Sequence, residues 1–451
     1  MISERIAPEG REVAVIGLGR SGVAATRLLL RAGRGVYASD SGSFPALEEL
    51  ARGLRSMGAA VDLAGHNLER IAAAGLCVVS PGVPPGAPPL AAARNAGVPI
   101  QAEAELGLEA LAGVPYVAIT GTNGKTTTTA LVGHLLASSG LHAEAAGNIG
   151  TPLSEIALEA VRPEWLAVEL SSFQLHDMRS VKPAVGVLTN LAPDHLDRYA
   201  ALDDYYADKR RLFLHASSTS VTVSNLDDPV SQDLLQGVPG RQLRFSVVRE
   251  ADGWYDATRG VLMLGRETLF PREELLLLGD HNVANALAAA LAVHATGVDL
   301  PAIARGLRSF RPLEHRMEPV GEVAGVLWIN DSKATNIAST EMAIRAMPRP
   351  FVLLLGGRHK GEPYTRLGPM LEGRCRAVIA YGEAGPIIVR DLSGQGTPVV
   401  PGTSFDAVMT QARALARPGD AVLLSPACSS YDMFTNYEER GRRFRAIVES
   451  W

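Results

Sequence analysis

Short runs of apolar and β-branched residues alternate with Ala- and Leu-rich stretches along almost the whole chain. Apolar runs of strand length separated by helical stretches predict parallel sheets with crossover helices rather than hairpins. In the first part, strands are expected at 11–17 (REVAVIG), 35–40 (GVYASD), 59–65 (AAVDLAG) and 76–82 (LCVVSPG). The proline-rich segment 81–90 cannot supply ladder donors and reads as a loop. A second unit starts with PYVAITG (115–121), followed by a helix from Lys125, strands at 165–172 and 184–190, and an Ala-rich helix at 282–297. A third follows SFRPLEHR (309–316), with strands at 326–331, 351–357, 377–382 and 421–426. The pattern therefore predicts an α/β protein of three domains, bounded as 1–103, 104–312 and 313–451.

Length agrees, since 451 residues exceed one ordinary core and about 150 residues per domain gives three. With 47% apolar and 20% charged residues the chain is a packed globule rather than a disordered one. A net charge of −5 leaves no electrostatic footprint for nucleic acid or an anionic membrane, so any bound anion must be held by local geometry. The first residues, MISERIAPEGREVAVIG, scatter charges through a short apolar run, so neither a signal peptide nor an anchor is expected. No apolar stretch approaches the roughly 18 residues that span a bilayer. Cys77, Cys375 and Cys428 have no C-x-x-C spacing, which predicts a reduced, cytoplasmic setting without a structural disulfide or zinc. Nothing in the sequence asks for more than a monomer.

Two glycine turns carry the first candidate chemistry. In TGTNGKTTTTA the residues Gly121, Thr122, Asn123, Gly124, Lys125, Thr126 and Thr127 lie between a strand and a helix. Small residues that expose backbone N–H groups, a helix N-terminus, a lysine and a hydroxyl for Mg²⁺ are the parts of a nucleotide triphosphate cradle. The first glycine of the usual G-x-x-x-x-G-K-[ST] pattern is Ile119 here, which shortens the loop. The earlier turn, GLGRSG (17–22), satisfies G-x-G-x-x-G after a strand, and Asp40 closes the next strand near a ribose-binding position. NAD and another phosphate-bearing nucleotide both fit such a turn. A UDP-linked substrate uses both turns more simply than a nicotinamide enzyme with its own ATP loop.

Glu169 ends an apolar strand, where a carboxylate is costly to bury without a cation, so it is a Mg²⁺ candidate. Asp194, His195 and Asp197 follow another strand end and suit a metal or a phosphate relay. Lys209 heads three consecutive basic residues in a helical stretch, which by pattern alone is a solvated face. His281, Asn282 and Asn285 open the Ala-rich helix, where an amide caps the helix or reads an adenine edge. In the third unit EHRMEPV, INDSKATN, GGRHKG and SPACSSYDMF bring Arg316, Asp331, Lys333 and Lys360 to strand ends and loops. Placed together, these cations suit carboxylates or phosphates.

TGTNGKTT, ELSSFQL, TNLAPDHLDRY, HNVANALAA, HRME, NDSKATN and SPACSSYDMF, in this order, resemble the Mur ligase family across essentially the whole chain. NDSKATN and SPAC-x-S-x-D-x-F point to the member that adds D-glutamate. A folylpolyglutamate-type ligase is disfavoured by the GLGRSG domain, and a nucleotide-sensing protein without ligase activity would leave Glu169, His195 and Lys209 idle. The resemblance implies an N-terminal Rossmann-like domain for the UDP end, a central P-loop ATPase domain with a mostly parallel sheet, and a C-terminal Rossmann-like domain for the amino acid. It further implies ATP and two Mg²⁺ ions, with UDP-N-acetylmuramoyl-L-alanine and D-glutamate as substrates.

By the same resemblance, Gly121 to Thr127 bind the ATP phosphates, Asn282 and Asn285 adenine, Asp331 ribose and Arg316 the γ-phosphate. Thr126 and Glu169 hold one Mg²⁺. His195 holds the second, together with a carbamate formed on Lys209, which overrides the solvated-face reading of that lysine. Gly19, Asp40, Ser41, Gly82, Asn148, Ser171, Gln174 and His195 line the UDP-substrate site, and Lys333, Thr335, Lys360, Ser430 and Tyr437 meet D-glutamate. Two positions depart from the family pattern: Gly42 stands where many relatives carry an arginine on uracil, and Tyr437 where a phenylalanine often packs on glutamate.

Overall fold

The computed structural model describes residues 10–194, 199 and 201–451. Its strands form three separate sheets of five, nine and six members. The first contains β1 (Val13–Ile16), β2 (Val36–Ser39), β3 (Ala60–Asp62), β4 (Leu76–Val79) and β5 (Ile100–Ala102), ordered β3-β2-β1-β4-β5 and parallel throughout. Every residue of β1 and β4 is buried, which is why they read as unbroken apolar runs rather than alternating ones.

The second sheet contains β6 (Tyr116–Thr120), β7 (Ala143–Gly147), β8 (Trp165–Glu169), β9 (Val185–Leu188), β10 (Val221–Asn225), β11 (Arg241–Ser246), β12 (Gly253–Asp256), β13 (Val261–Leu264) and β14 (Glu267–Pro271). Their order is β14-β13-β12-β11-β10-β9-β6-β8-β7, parallel from β7 to β12 and antiparallel over the last two pairs. Because β6 lies between β8 and β9, the loop leaving β6 opens at a switch point of the sheet, where α/β folds bind ligands.

The third sheet contains β15 (Glu318–Val323), β16 (Val326–Asn330), β17 (Phe351–Gly356), β18 (Cys375–Tyr381), β19 (Val399–Pro401) and β20 (Ala421–Leu424), ordered β15-β16-β20-β17-β18-β19. Only the β15–β16 pair among these is antiparallel. The neighbours β16, β20 and β17 therefore deliver NDSKATN, SPACSSYDMF and GGRHKG to one edge.

The chain divides into two compact units. One carries the first two sheets and includes Ala284–Ser309; the other joins Glu273–Val283 to Phe310–Trp451. Among the described residues, no helix is long and apolar enough to cross a membrane.

Candidate active site

The phosphate loop starts where β6 ends. Ile119, the residue in place of the usual first glycine, is inside β6 and paired with both Glu169 and Val187, so the turn begins two residues later. Gly121 (φ 145°) and Gly124 (φ 81°) both adopt backbone that favours glycine, and Gly124 caps the helix Lys125–Ser138. A Cβ on Gly121 would lie 2.0 Å from Thr189 Oγ1, and one on Gly124 would lie 2.3 Å from Asn285 Oδ1. The loop is braced by Asn190, whose carbonyl accepts from Thr122 N–H (2.8 Å) and whose Oδ1 accepts from Asn123 N–H (3.0 Å). Asn285 also accepts from Thr128 Oγ1 (3.3 Å), so the Ala-rich helix Asp280–His294 meets the loop directly.

Two lysines converge on one carbonyl of this loop. Gly121 O accepts from Lys125 Nζ at 2.9 Å and from Lys209 Nζ at 2.7 Å. The basic run at 209–211 is thus not a wholly solvated face: Lys209 is 1% exposed, with its Nζ 4.5 Å from the centroid of the Tyr205 ring. Burial first, and the neighbouring Lys125 charge second, hold the Lys209 amine well below the usual lysine range; Asp194, Glu169 and Asp208 oppose the shift. A neutral buried amine is a nucleophile, whereas an ammonium is not.

Glu169, the last residue of β8, is 2% exposed. Its Oε1 accepts from Asn148 Nδ2 (2.9 Å), and its Oε2 has no hydrogen-bond partner among the described residues. An unsatisfied buried carboxylate oxygen is expensive, and a divalent cation held by one carboxylate, a hydroxyl and phosphate oxygens removes that cost. The unpartnered Oε2 is thus suited to Mg²⁺, although no three His, Cys, Asp or Glu side chains converge among the described residues. His195 and Asp197 lie outside the described residues. Ser171 caps the helix Ser172–His176 in a reciprocal box with Gln174, and the Gln174 Nε2 amide is left without a partner among the described residues.

In the first sheet Gly19 caps the helix Arg20–Arg31, and a Cβ on Gly22 would fall 1.8 Å from Gly17 O, so the turn requires glycine there. Asp40 fixes this turn: its Oδ2 accepts from Leu18 N–H (2.6 Å) and its Oδ1 from Gly42 N–H (2.8 Å). Ser41 and Gly82 are exposed in the loops after β2 and β4.

The second unit gathers the remaining residues. Arg316 stands between His315 (φ 63°) and Met317 (φ 42°), two left-handed non-glycine residues, a strained turn of the kind that persists only when its surroundings over-determine it. The bonds that do so are Asn330 Nδ2 to His315 Nδ1 (2.9 Å) and Met317 N–H to Asp331 Oδ1 (3.2 Å). Lys333 Nζ stands 5.2 Å from the centroid of the Tyr437 ring, Lys360 Nζ donates to Thr335 Oγ1 (3.4 Å), and Ser430 is buried on the loop after β20. Asn282, the third residue of the helix Asp280–His294, donates its amide to Leu278 O (2.8 Å), which is not the bond of an N-cap, whose side-chain oxygen accepts from the backbone.

Asp331 is buried and accepts from Ser425 Oγ (2.8 Å), yet desolvation raises its carboxyl from 3.8 to about 7. A folded-state pKa above the unfolded one favours the protonated form, so this contribution to stability falls as pH rises across that window and is level above it. The difference in thermal midpoint between wild type and Asp331→Asn is expected to shift against the wild type between about pH 4 and pH 7 and then level off. A pH-independent difference would contradict this.

Arg440 escapes sequence reasoning. It sits in a charged stretch, NYEERGRRFRAIVES, but is 0% exposed. Its guanidinium donates to Ser332 Oγ (2.9 Å), Ser332 O (2.8 Å), Cys428 O (3.2 Å) and Gly356 O (3.5 Å), so one fork joins the loops after β16, β20 and β17. The available signal is spacing: Arg440, Phe444 and Val448 fall at i, i+4 and i+8 of the helix Tyr437–Glu449 and share its buried face.

Known proteins match this arrangement in all three parts. Residues 11–102 match the model of the Mur ligase MurD-like N-terminal domain, 119–293 the Mur ligase middle domain, and 315–428 the Mur ligase glutamate ligase domain. A relative from Acidobacterium capsulatum is 39% identical over 98% of this chain and 96% of its own length, and one from Geobacter metallireducens is 40% identical over 98% of both. The chain belongs to the Mur ligase family. Both relatives are named UDP-N-acetylmuramoylalanine–D-glutamate ligase. Among solved family structures, the UDP-N-acetylmuramate-alanine ligase MurC of Thermotoga maritima shares the fold at TM-score 0.63 and 19% identity, covering 98% of this chain and 99% of that one. MurF of Acinetobacter baumannii does so at TM-score 0.59 and 18% identity, over 85% and 87%.

Proposed function

We infer that this protein is an ATP-dependent ligase that joins D-glutamate to UDP-N-acetylmuramoyl-L-alanine through an acyl phosphate, in cytoplasmic peptidoglycan precursor synthesis. The observation that carries this reading is the near full-length likeness to relatives named for that reaction. The braced phosphate loop with its two convergent lysines supports it.

We assign three domains, 1–103, 104–312 and 313–451, and the following roles residue by residue. Gly19, Asp40, Ser41, Gly82, Asn148, Ser171, Gln174 and His195 take the UDP substrate. Gly121 to Thr127 take the ATP phosphates, Asn282 and Asn285 adenine, Asp331 ribose and Arg316 the γ-phosphate. Lys333, Thr335, Lys360, Ser430 and Tyr437 take D-glutamate. Thr126 and Glu169 would hold one Mg²⁺, and His195 with a carbamate on Lys209 a second; bound there, the ions neutralise phosphate charge. The protein acts as a monomer and takes neither nucleic acid nor membrane as partner.

The substrate carboxylate attacks the γ-phosphorus, the bond to the bridging oxygen breaks and ADP leaves. Lys125 and Arg316 offset charge on the transferring phosphoryl oxygens. The neutral amine of D-glutamate then adds to the acyl carbon, its nitrogen gives up a proton to solvent or to the departing phosphate, and the C–O bond to phosphate breaks as the tetrahedral intermediate collapses to the amide. Hydroxylamine supplied in place of D-glutamate is expected to yield a hydroxamate of the UDP substrate; its absence under conditions of ATP turnover would contradict the acyl phosphate.

Gly124→Ala forces a left-handed Ala, costing about 1–2 kcal/mol, and drives its Cβ into Asn285. Affinity for a non-hydrolysable ATP analogue is expected to fall about tenfold or more. An unchanged dissociation constant would remove this loop from the ATP site.

A further inference from the structure

The loops bearing Lys360 and Ser430 are tied twice. Their backbones meet at the Arg358–Ser429 bridge, with Arg358 N–H donating to Ser429 O at 2.8 Å. Beneath that bridge, the Tyr364 hydroxyl stands 2.9 Å from Cys428 Sγ and 3.1 Å from His359 Nδ1. His359 immediately precedes Lys360, and Cys428 lies two residues before Ser430. The Tyr364 ring is 1% exposed, within the apolar cluster that includes Leu355, Ala427 and Cys428. Its backbone N–H is held by Asp391 Oδ2 (3.1 Å), and its ring lies 5.6 Å from the His359 ring.

A phenylalanine would fill the apolar part of this site equally well, so the hydroxyl needs its own explanation. We propose that Tyr364 is a positioning residue: its hydroxyl, clamped between His359 and Cys428, sets the spacing of Lys360 and Ser430 and thereby the fit of the incoming amino acid. This rests on the reading of Lys360 and Ser430 as amino-acid-binding groups. Burial pushes the Cys428 thiol up to about 11 and the Tyr364 phenol higher, so both keep their protons at neutral pH. The proton order along the chain can run either way without losing either contact.

Tyr364→Phe deletes one oxygen and keeps the core volume. Losing a buried hydrogen bond of this kind corresponds to roughly a fivefold effect. The KM for D-glutamate is expected to rise about fivefold, with kcat and the KM values for ATP and UDP-N-acetylmuramoyl-L-alanine unchanged within about twofold. Cys428→Ala should reproduce this split, and Cys428→Ser, which keeps a hydrogen-bonding group, should restore most of the wild-type KM. A lowered thermal midpoint with the D-glutamate KM unchanged in Tyr364→Phe would overturn the inference. So would equal rises in all three KM values. Wild-type protein assayed alongside separates the two levels: no turnover with D-glutamate in the wild type sinks the functional reading itself.

Discussion

Lys209→Ala is expected to lower kcat by at least about 10²–10³, the scale on which removal of one group that stabilises transition-state charge acts. A lysine that is 1% exposed, shares Gly121 O with Lys125 and has its pKa driven down by desolvation is pushed toward the neutral amine beside the phosphate loop. Such an amine attacks CO₂, loses a proton and becomes an N-carboxylate. On that reading the modification takes the side chain from neutral to anionic, which suits a site where Glu169 already offers a carboxylate oxygen to Mg²⁺. With ¹³C-labelled bicarbonate, wild-type protein is expected to show a carbamate carbon resonance that Lys209→Ala lacks. Turnover within fivefold of wild type, or an identical spectrum in the variant, would contradict the role.

Lys125→Ala should have an effect of the same order or larger, because this side chain is the loop's own cation at the helix N-terminus. Its Nζ curls onto Gly121 O and Thr122 O (2.8 Å), two carbonyls that a bound triphosphate would replace as partners. The kcat/KM for ATP is expected to fall about 10³-fold or more, while the UDP substrate still binds, as isothermal titration would show. Loss of UDP-substrate binding in the same variant would mean that the loop had collapsed rather than lost a charge. Lys125→Arg should not restore activity, since the planar fork does not fit where a compact ammonium reaches two carbonyls.

The sequence pattern located the principal strands because parallel strands buried on both faces form apolar runs that stand out from Ala-rich helices. It does not reach β7, whose AEAAG carries little β-propensity, β10, β11, whose RQLRFS mixes polar and apolar residues, β12 with the antiparallel extension through β14, or β15 and β19 in the third sheet. Strand β5 is only three residues long, too short for any period to register. The phosphate loop was legible because its residues are local in sequence. By pattern alone Lys209 and Arg440 were not, since burial is a tertiary property and each stands in a charged stretch; the family resemblance singles out Lys209 but not Arg440. For Arg440 the i, i+4, i+8 spacing with Phe444 and Val448 held the information. The convergence of NDSKATN, GGRHKG and SPACSSYDMF followed from strand order, with β20 inserted between β16 and β17, which no linear reading contains.

The central claim is a ligase reaction that selects D-glutamate. Its most direct test is phosphate release by purified protein with ATP, Mg²⁺ and UDP-N-acetylmuramoyl-L-alanine, compared across D-glutamate, L-glutamate, meso-diaminopimelate and no amino acid. Turnover with D-glutamate alone is predicted. Turnover that prefers another of these amino acids, or that proceeds equally without one, would contradict it.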